Sequence, residues 1–424
     1  MKKIIFVFLF TIQIIAQPDF NPDPRIIQAG KFYNSEIHFF ASDNAYTIYY
    51  LYKISYSQLF FQKTGDQFEA ELKVNLEIQD SLKGTIKRVF DDRKISTSDF
   101  ELTNSENTFL QGLLKFDLEK GKYKVIAIIS DGISKRERRI PPVDLEIEQA
   151  NLFFSPIVIE NTSAKFENSD WVILTNNSNS IAFNRTESDL LFPVKNDKLD
   201  SIFVSVKQGE SYLVSNKVLK DFISCNSELK IADDFVGMKK NTDSSGIKCF
   251  IFNDLSGQLD EGPVQVEIKS GVNDKPAVFN MNVIWINKPI SLIDPDQAIR
   301  FLELIEPRST VSDILGGNGD DKTNLYEYWK AKDPTPHTKY NELMNEFYTR
   351  VDYCEKNFSG LSATGGAKSD RGKIYIRFGK PDSTDRFTNS EDNVVETWVY
   401  KNLNKTFHFL DKDGTGRFQL ADEK

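Results

Sequence analysis

The chain has 424 residues, more than one ordinary core accommodates, so two to three domains are expected. Apolar residues at 40% and charged residues at 27% exclude a disordered chain, and a net charge of -9 leaves no cationic excess for nonspecific binding to nucleic acid or anionic lipid. The 33 phenylalanines and 15 tyrosines against 4 methionines favour half-buried pleated surfaces over helices.

The opening residues MKKIIFVFLFTIQIIAQ have the three parts of a secretory leader: Lys2 and Lys3, an apolar run from Ile4 to Ile15, and small Ala16 as a cleavage point. The run is short of the roughly 20 apolar residues a bilayer crossing needs. The expectation is a signal peptide over residues 1–16 and an exported mature chain with no transmembrane span. Three cysteines then leave at least one without a partner in the chain; Cys225 and Cys249 could bridge, and Cys354 reads as a buried small hydrophobe.

From Phe32 to Glu148 one strand-like segment follows another. Glu69, Glu71 and Lys73 alternate with Ala70, Leu72 and Val74, the period of a half-buried strand. Residues 20–148 read as a β-sandwich of immunoglobulin-like type, and residues 150–288 as a second β domain ending in GPVQVEIKSG and AVFNMNVIWI. Residues 289–424 read as α+β, with three helices followed by a small antiparallel sheet. The first helix is capped by Asp294 with Pro295 in its first turn, the second lies in NLYEYWKAKDP, and the third carries Leu343, Phe347, Val351, Cys354 and Phe358 on one face. Four short strands are expected after it: GKIYIRFG, VVETWVYK, KTFHFLD and RFQLA.

Several short motifs resemble known sites only in part. GGAKSDRGKIYIRFGKPD lacks the glycine spacing of a phosphate loop, and a helix precedes it while a strand is expected after it, the reverse of what that loop requires. Gly360 to Thr364 lacks the second glycine of a hydrolase nucleophile elbow. His38, His337 and His408 are not at metal-ligand or triad spacing. In DKDGTGRFQLAD, Asp411, Asp413 and Asp422 fall at ligand positions of a calcium-binding EF-hand loop, but the flanking text reads as strand, so a hairpin turn explains the same residues and calcium is the weaker alternative.

The ordered run YEYWKAKDPTP, NELMNEFYTRVDYCEKNF, DRGKIYIRFGKPD, ETWVY and FHFLDKDGTGRFQL resembles the GWxTD domain proteins, secreted proteins of Bacteroidota and related bacteria, over roughly Pro289 to Leu420. The family's name motif corresponds to Gly366, Ala367, Lys368, Ser369 and Asp370, with alanine in place of the tryptophan and serine in place of the threonine. The resemblance implies a compartment, the periplasm, outer-membrane surface or exterior of a Gram-negative cell, and carries no reaction.

Read as residues, Asp370 and Arg371 end a turn, with Arg371 free to pair with Asp370 or Asp382. Lys373, Tyr375 and Arg377 form one face of the expected strand, opposite Ile374, Ile376 and Phe378. Two expectations follow for this loop, a structural clasp between helix and sheet, or a binding face made of Arg371, Lys373, Tyr375 and Arg377 with Trp398 and Tyr400. The leading functional expectation is a non-catalytic envelope protein acting on other envelope proteins or glycans, without nucleic acid and without a cofactor. The alternatives are an envelope hydrolase using Asp370 and Glu396 as its carboxylates, and a calcium-stabilised adhesin.

Overall fold

The computed structural model of the protein describes residues 33–423 apart from 42–44, 81, 106–107, 148–151, 161–169, 176–179, 196–197, 233–234, 242–246 and 360–364. The leader read over residues 1–16 and the stretch 360–364 lie outside the described residues.

The strand Tyr46–Ser55 organises the first half of the molecule. Its sequence YTIYYLYKIS is almost continuously apolar and aromatic, as a strand covered on both faces must be. Ile48, Tyr50, Tyr52 and Ile54 enter one core, and Tyr49 and Leu51 enter another. It is the central member of a three-stranded antiparallel sheet, between Tyr33–Ala41 and Phe109–Leu118. On its first side lies a six-stranded antiparallel sheet built on the long strand Gln67–Asp80, where Ala70, Leu72, Val74, Leu76 and Ile78 are buried in the alternation the sequence predicts. Each of the larger aliphatic side chains, Leu72, Val74, Leu76 and Ile78, contributes about 1.5–3 kcal/mol on full burial, so a strand covered twice ties together everything on either side of it.

On the second side, Phe40, Tyr49 and Leu51 pack against Phe154, Ile157, Ile159, Leu191 and Met238, members of the next β layer. That layer is another six-stranded sheet, running from Ile157–Glu160 at one edge to Trp171–Ile173 at the other. Its far face, with Val158, Leu190, Phe192, Phe250 and Phe252, shares a core with Val204, Val206, Val264, Val266 and Ile268 of a five-stranded sheet. Among the described residues the paired strands are antiparallel except Ser180–Ala182, which joins Ala277–Ile284 in parallel. The β region is therefore a set of layers packed through successive cores, each supplied by alternate residues of the same strands.

Two ionisable side chains are enclosed with the strand Tyr33–Ala41: Glu36 and His38 are 2% and 3% exposed, with Glu36 Oε1 3.2 Å from His38 Nε2. Cys225 and Cys249, the pair that could bridge, are free thiols in this structure. Cys225 stands opposite Ile247 and Cys249 opposite Ile223, so the two cysteines are diagonal neighbours across the ladder.

A short helix, α1 (Phe100–Thr103), lies within the β region under an Asp99 cap. Among the described residues the C-terminal region holds five further α-helices where three were expected. In α2 (Pro295–Phe301) the Asp294 side chain accepts from the Gln297 N–H, and Pro295 occupies the first turn as its fixed φ allows. After α2 come α3 (Arg308–Leu315), which the sequence reading missed, and α4 (Asp321–Lys330). In α5 (Glu342–Phe358) the Asn341 side chain caps the Met344 N–H at 2.8 Å. Its buried face is Met344, Phe347, Tyr348, Val351 and Cys354, whereas Leu343, expected on that stripe, is 45% exposed.

The largest correction concerns the segment read as a strand after the GGAKS loop. It is a helix, α6 (Asp370–Phe378), and the four-stranded antiparallel sheet that follows begins instead with Ser383–Thr388, continuing through Val394–Tyr400, Lys405–Asp411 and Gln419–Glu423. No helix among the described residues is long and apolar enough to cross a membrane.

Candidate functional site

The junction from α5 through residues 365–369 into α6 is held by hydrogen bonds from both helices. The Glu355 carboxylate, on the last turn of α5, accepts from the backbone N–H groups of Gly366 at 3.2 Å and Ala367 at 3.0 Å. Ser369 then caps α6, accepting from the Gly372 N–H at 3.0 Å while its hydroxyl donates to the Gly366 carbonyl at 2.6 Å. Gly366 is obligatory, because a Cβ there would lie 1.9 Å from the Cys354 carbonyl oxygen. Gly372 is equally constrained, its Cβ falling 2.1 Å from the Gly366 carbonyl oxygen. Gly379, with φ at +79°, ends α6 where side chains are disfavoured.

A period-two reading of Ile374, Ile376 and Phe378 hid this helix. The signals that favour it were present: Ser369 as cap, Asp370 in the first turn, Arg377 in the last and Gly379 beyond the end. Arg371, Ile374, Tyr375 and Phe378 also recur at helical spacing, and the last three pack on the aromatic core of the final sheet. Arg350 on α5 holds the other end, donating from Nη1 to the Ile376 carbonyl at 2.8 Å.

Arg371 leaves the first turn of α6 and is enclosed, 8% exposed. Its Nη1 lies 3.4 Å from Glu396 Oε2, its Nη2 donates to the Gly416 carbonyl at 3.3 Å, and its guanidinium sits over the rings of Phe418 and Phe358, 4.2 Å and 4.9 Å from their centroids. Burial draws its pKa below the usual arginine value, and the Glu396 carboxylate opposes that shift. Arg371 does not pair with Asp370 or Asp382. Asp382 instead accepts from the Lys401 N–H at 2.6 Å, and Asp370 accepts from the Leu420 N–H at 3.0 Å.

Glu396, 6% exposed, is fully engaged by donors. Arg386, directly opposite it in the neighbouring strand, donates to Oε2 from Nη2 and, at 3.1 Å, from Nε. Trp398 Nε1 donates to Oε1 at 2.7 Å. The two carboxylates nominated for catalysis are therefore committed to different structural partners, Asp370 to the last strand and Glu396 to two guanidinium groups and an indole.

The expected binding face does not form, because helical geometry disperses the residues a strand would have aligned. Lys373 and Arg377 are exposed, Tyr375 is half-buried and stacked on Tyr353 with centroids 4.4 Å apart, and Trp398 and Tyr400 are buried at 2% and 4% exposure. The Tyr400 hydroxyl donates to the Gly379 carbonyl at 2.8 Å. Cys354 is fully enclosed as expected, and burial pushes its thiol up to about 12.

The DKDGTG segment is the hairpin turn between the third and fourth strands of the last sheet. The Asp411 carboxylate accepts from the Thr415 and Gly416 N–H groups at 3.2 Å and 2.9 Å, Asp413 is exposed, and Asp422 lies opposite His408 across the ladder. No group of three or more His, Cys, Asp and Glu side chains among the described residues is placed to hold a metal.

Residues 291–421, which span all of these contacts, match the family model of the GWxTD domain. The C-terminal third of the chain is a GWxTD domain. No curated protein gives a significant match to the chain. Within the GWxTD domain the motif is the α5–α6 junction, and its five positions have separable roles. Gly366 permits close backbone approach, Ser369 caps α6, Asp370 ties α6 to the last strand, and Lys368 is exposed. Ala367, at the tryptophan position, is fully enclosed at 0% exposure. In this GWxTD domain that position is a packing position, closed to any ligand that would stack on a side chain there.

Proposed function

We propose that the protein is a non-catalytic, exported cell-envelope component that acts by holding other envelope proteins or glycans. In this reading its two β regions are immunoglobulin-like modules and its GWxTD domain is a rigid C-terminal cap. The observation that carries the reading is the engagement of three charged residues of the domain, Asp370, Arg371 and Glu396, by internal partners. Arg371 and Glu396, enclosed together, and Asp370, through the Leu420 N–H, join α6 to the final sheet. The stacked antiparallel layers, joined by apolar cores rather than by loose linkers, suit a part that transmits or resists force between partners. The acidic net charge points the same way, toward protein or sugar partners and away from nucleic acid.

The test is crosslinking in intact cells followed by purification of the full chain from the envelope fraction. Reproducible recovery of one envelope protein or glycan with it supports the proposal. Recovery only as a lone monomer, or only in the cytosol, overturns it.

A further inference from the structure

Cys225 and Cys249 lie on adjacent antiparallel strands, Phe222–Ala232 and Ile247–Phe252, and their side chains point to the same face of the sheet. Both are 0% exposed, in the core where the third β layer meets Phe40, Tyr49 and Leu51 of the first sheet. The Cys249 thiol donates to the Ile247 carbonyl at 3.8 Å, and the neighbouring Cys225, followed by burial, raises its pKa. Cys354 is elsewhere, in the core shared with the helices, with its Sγ 3.7 Å from the Gly372 carbonyl oxygen.

A diagonal cross-strand pair spans about 7 Å between Cα atoms, at the upper edge of what a disulfide bridges. The strand carrying Cys225 is irregular at that point, its register against Phe235–Lys240 shifting between Cys225 and Leu229. An irregular ladder can move the residue without breaking a continuous run of hydrogen bonds.

We propose that Cys225 and Cys249 are a disulfide-forming pair, closed by a disulfide donor while the chain folds and sealed when the layers meet. The chemistry is thiol–disulfide exchange. One thiolate of the pair attacks a donor sulfur, forming a mixed disulfide and releasing one donor thiol, and the second thiolate attacks the protein sulfur, releasing the other. Two protons and two electrons leave the pair, and the donor disulfide is reduced to two thiols. Closure must precede completion of the core, because no donor reaches either sulfur once both are enclosed. Its use in the cell rests on the export reading given above, whereas the pairing itself does not.

The test refolds the full chain in a buffer of oxidised and reduced glutathione, then alkylates it under denaturing conditions and weighs it. Of the three cysteines, one should be labelled, and an unreduced digest should contain Cys225 linked to Cys249. Reduction should restore three labels and lower the thermal midpoint by several degrees, the scale expected for a stabilising crosslink. The Cys225→Ser variant should show two labels. Three labels after oxidative refolding, a stable glutathione adduct or a link to Cys354 would each overturn the pairing. Cytosolic recovery of the chain would overturn the export reading and leave this result unchanged.

Discussion

Arg371 and Glu396 are twenty-five positions apart, one on a helix and one on a strand, yet their charged groups meet 3.4 Å apart and almost entirely out of solvent. The pair defines how α6 seats on the final sheet. Arg386 and Trp398 complete the shell around the carboxylate, and Phe358 and Phe418 enclose the guanidinium.

Removing either partner should be costly, because the other charge would remain buried without compensation. Arg371→Ala and Glu396→Ala are each expected to lower unfolding free energy by about 3–5 kcal/mol. Denaturant titrations of the full chain give the value. The double variant should lose less than the sum of the two single losses, since its buried charges are removed together.

The motif makes a steric prediction. Gly366→Ala drives a methyl into the Cys354 carbonyl oxygen, an atom that cannot swing aside as a side chain could. Ala367→Trp, which restores the family's residue, places an indole where this chain leaves no free surface. Each should cost about 1–3 kcal/mol or more as overpacking, read as a lowered melting temperature. An Ala367→Trp protein as stable as the parent would mean that the α5–α6 junction opens readily.

A pH dependence follows from Glu187, whose carboxyl is held above the ordinary carboxylate range by burial first and by the neighbouring Asp254 second. His337 Nε2, 3.9 Å away, pulls in the opposite direction. A raised pKa means that the folded state holds a proton the unfolded state has released. Its contribution to stability is complete below the ordinary glutamate value and is lost as pH rises through the folded value. Glu187→Gln should therefore flatten the stability profile just above the ordinary carboxylate range and leave the protein no less stable at neutral pH. Melting curves across that window decide it, and an unchanged slope would count against the assignment.

Calcium is expected to have no effect on folding. Both carboxylate oxygens of Asp411 are taken by backbone amides, and a strand rather than a helix enters and leaves the turn. Thermal midpoints measured with millimolar calcium and with chelator should coincide. A rise with calcium would place an ion on the turn and reopen the adhesin reading.

The sequence by itself determined the layered β character of the first two thirds, because a strand's side chains alternate whatever lies beyond it. Ala70, Leu72 and Val74 announced one covered face, whereas the covering of Tyr46–Ser55 on both faces emerged only in the fold. The caps at Asp294 and the buried role of Cys354 were legible for the same local reason. The tertiary structure alone decided the fate of residues 370–378. Ile374, Ile376 and Phe378 fit a strand by alternation, and Arg371, Ile374, Tyr375 and Phe378 fit a helix by spacing, so local pattern could not arbitrate. What arbitrates is contact at long range. Gly372 must pass under the Gly366 carbonyl, Glu355 must hold the preceding loop, and Arg371 must reach Glu396 across the sheet. Those distances exist only once the chain has folded back on itself, which is why the motif could be recognised in the sequence but its clasp could only be seen in the fold.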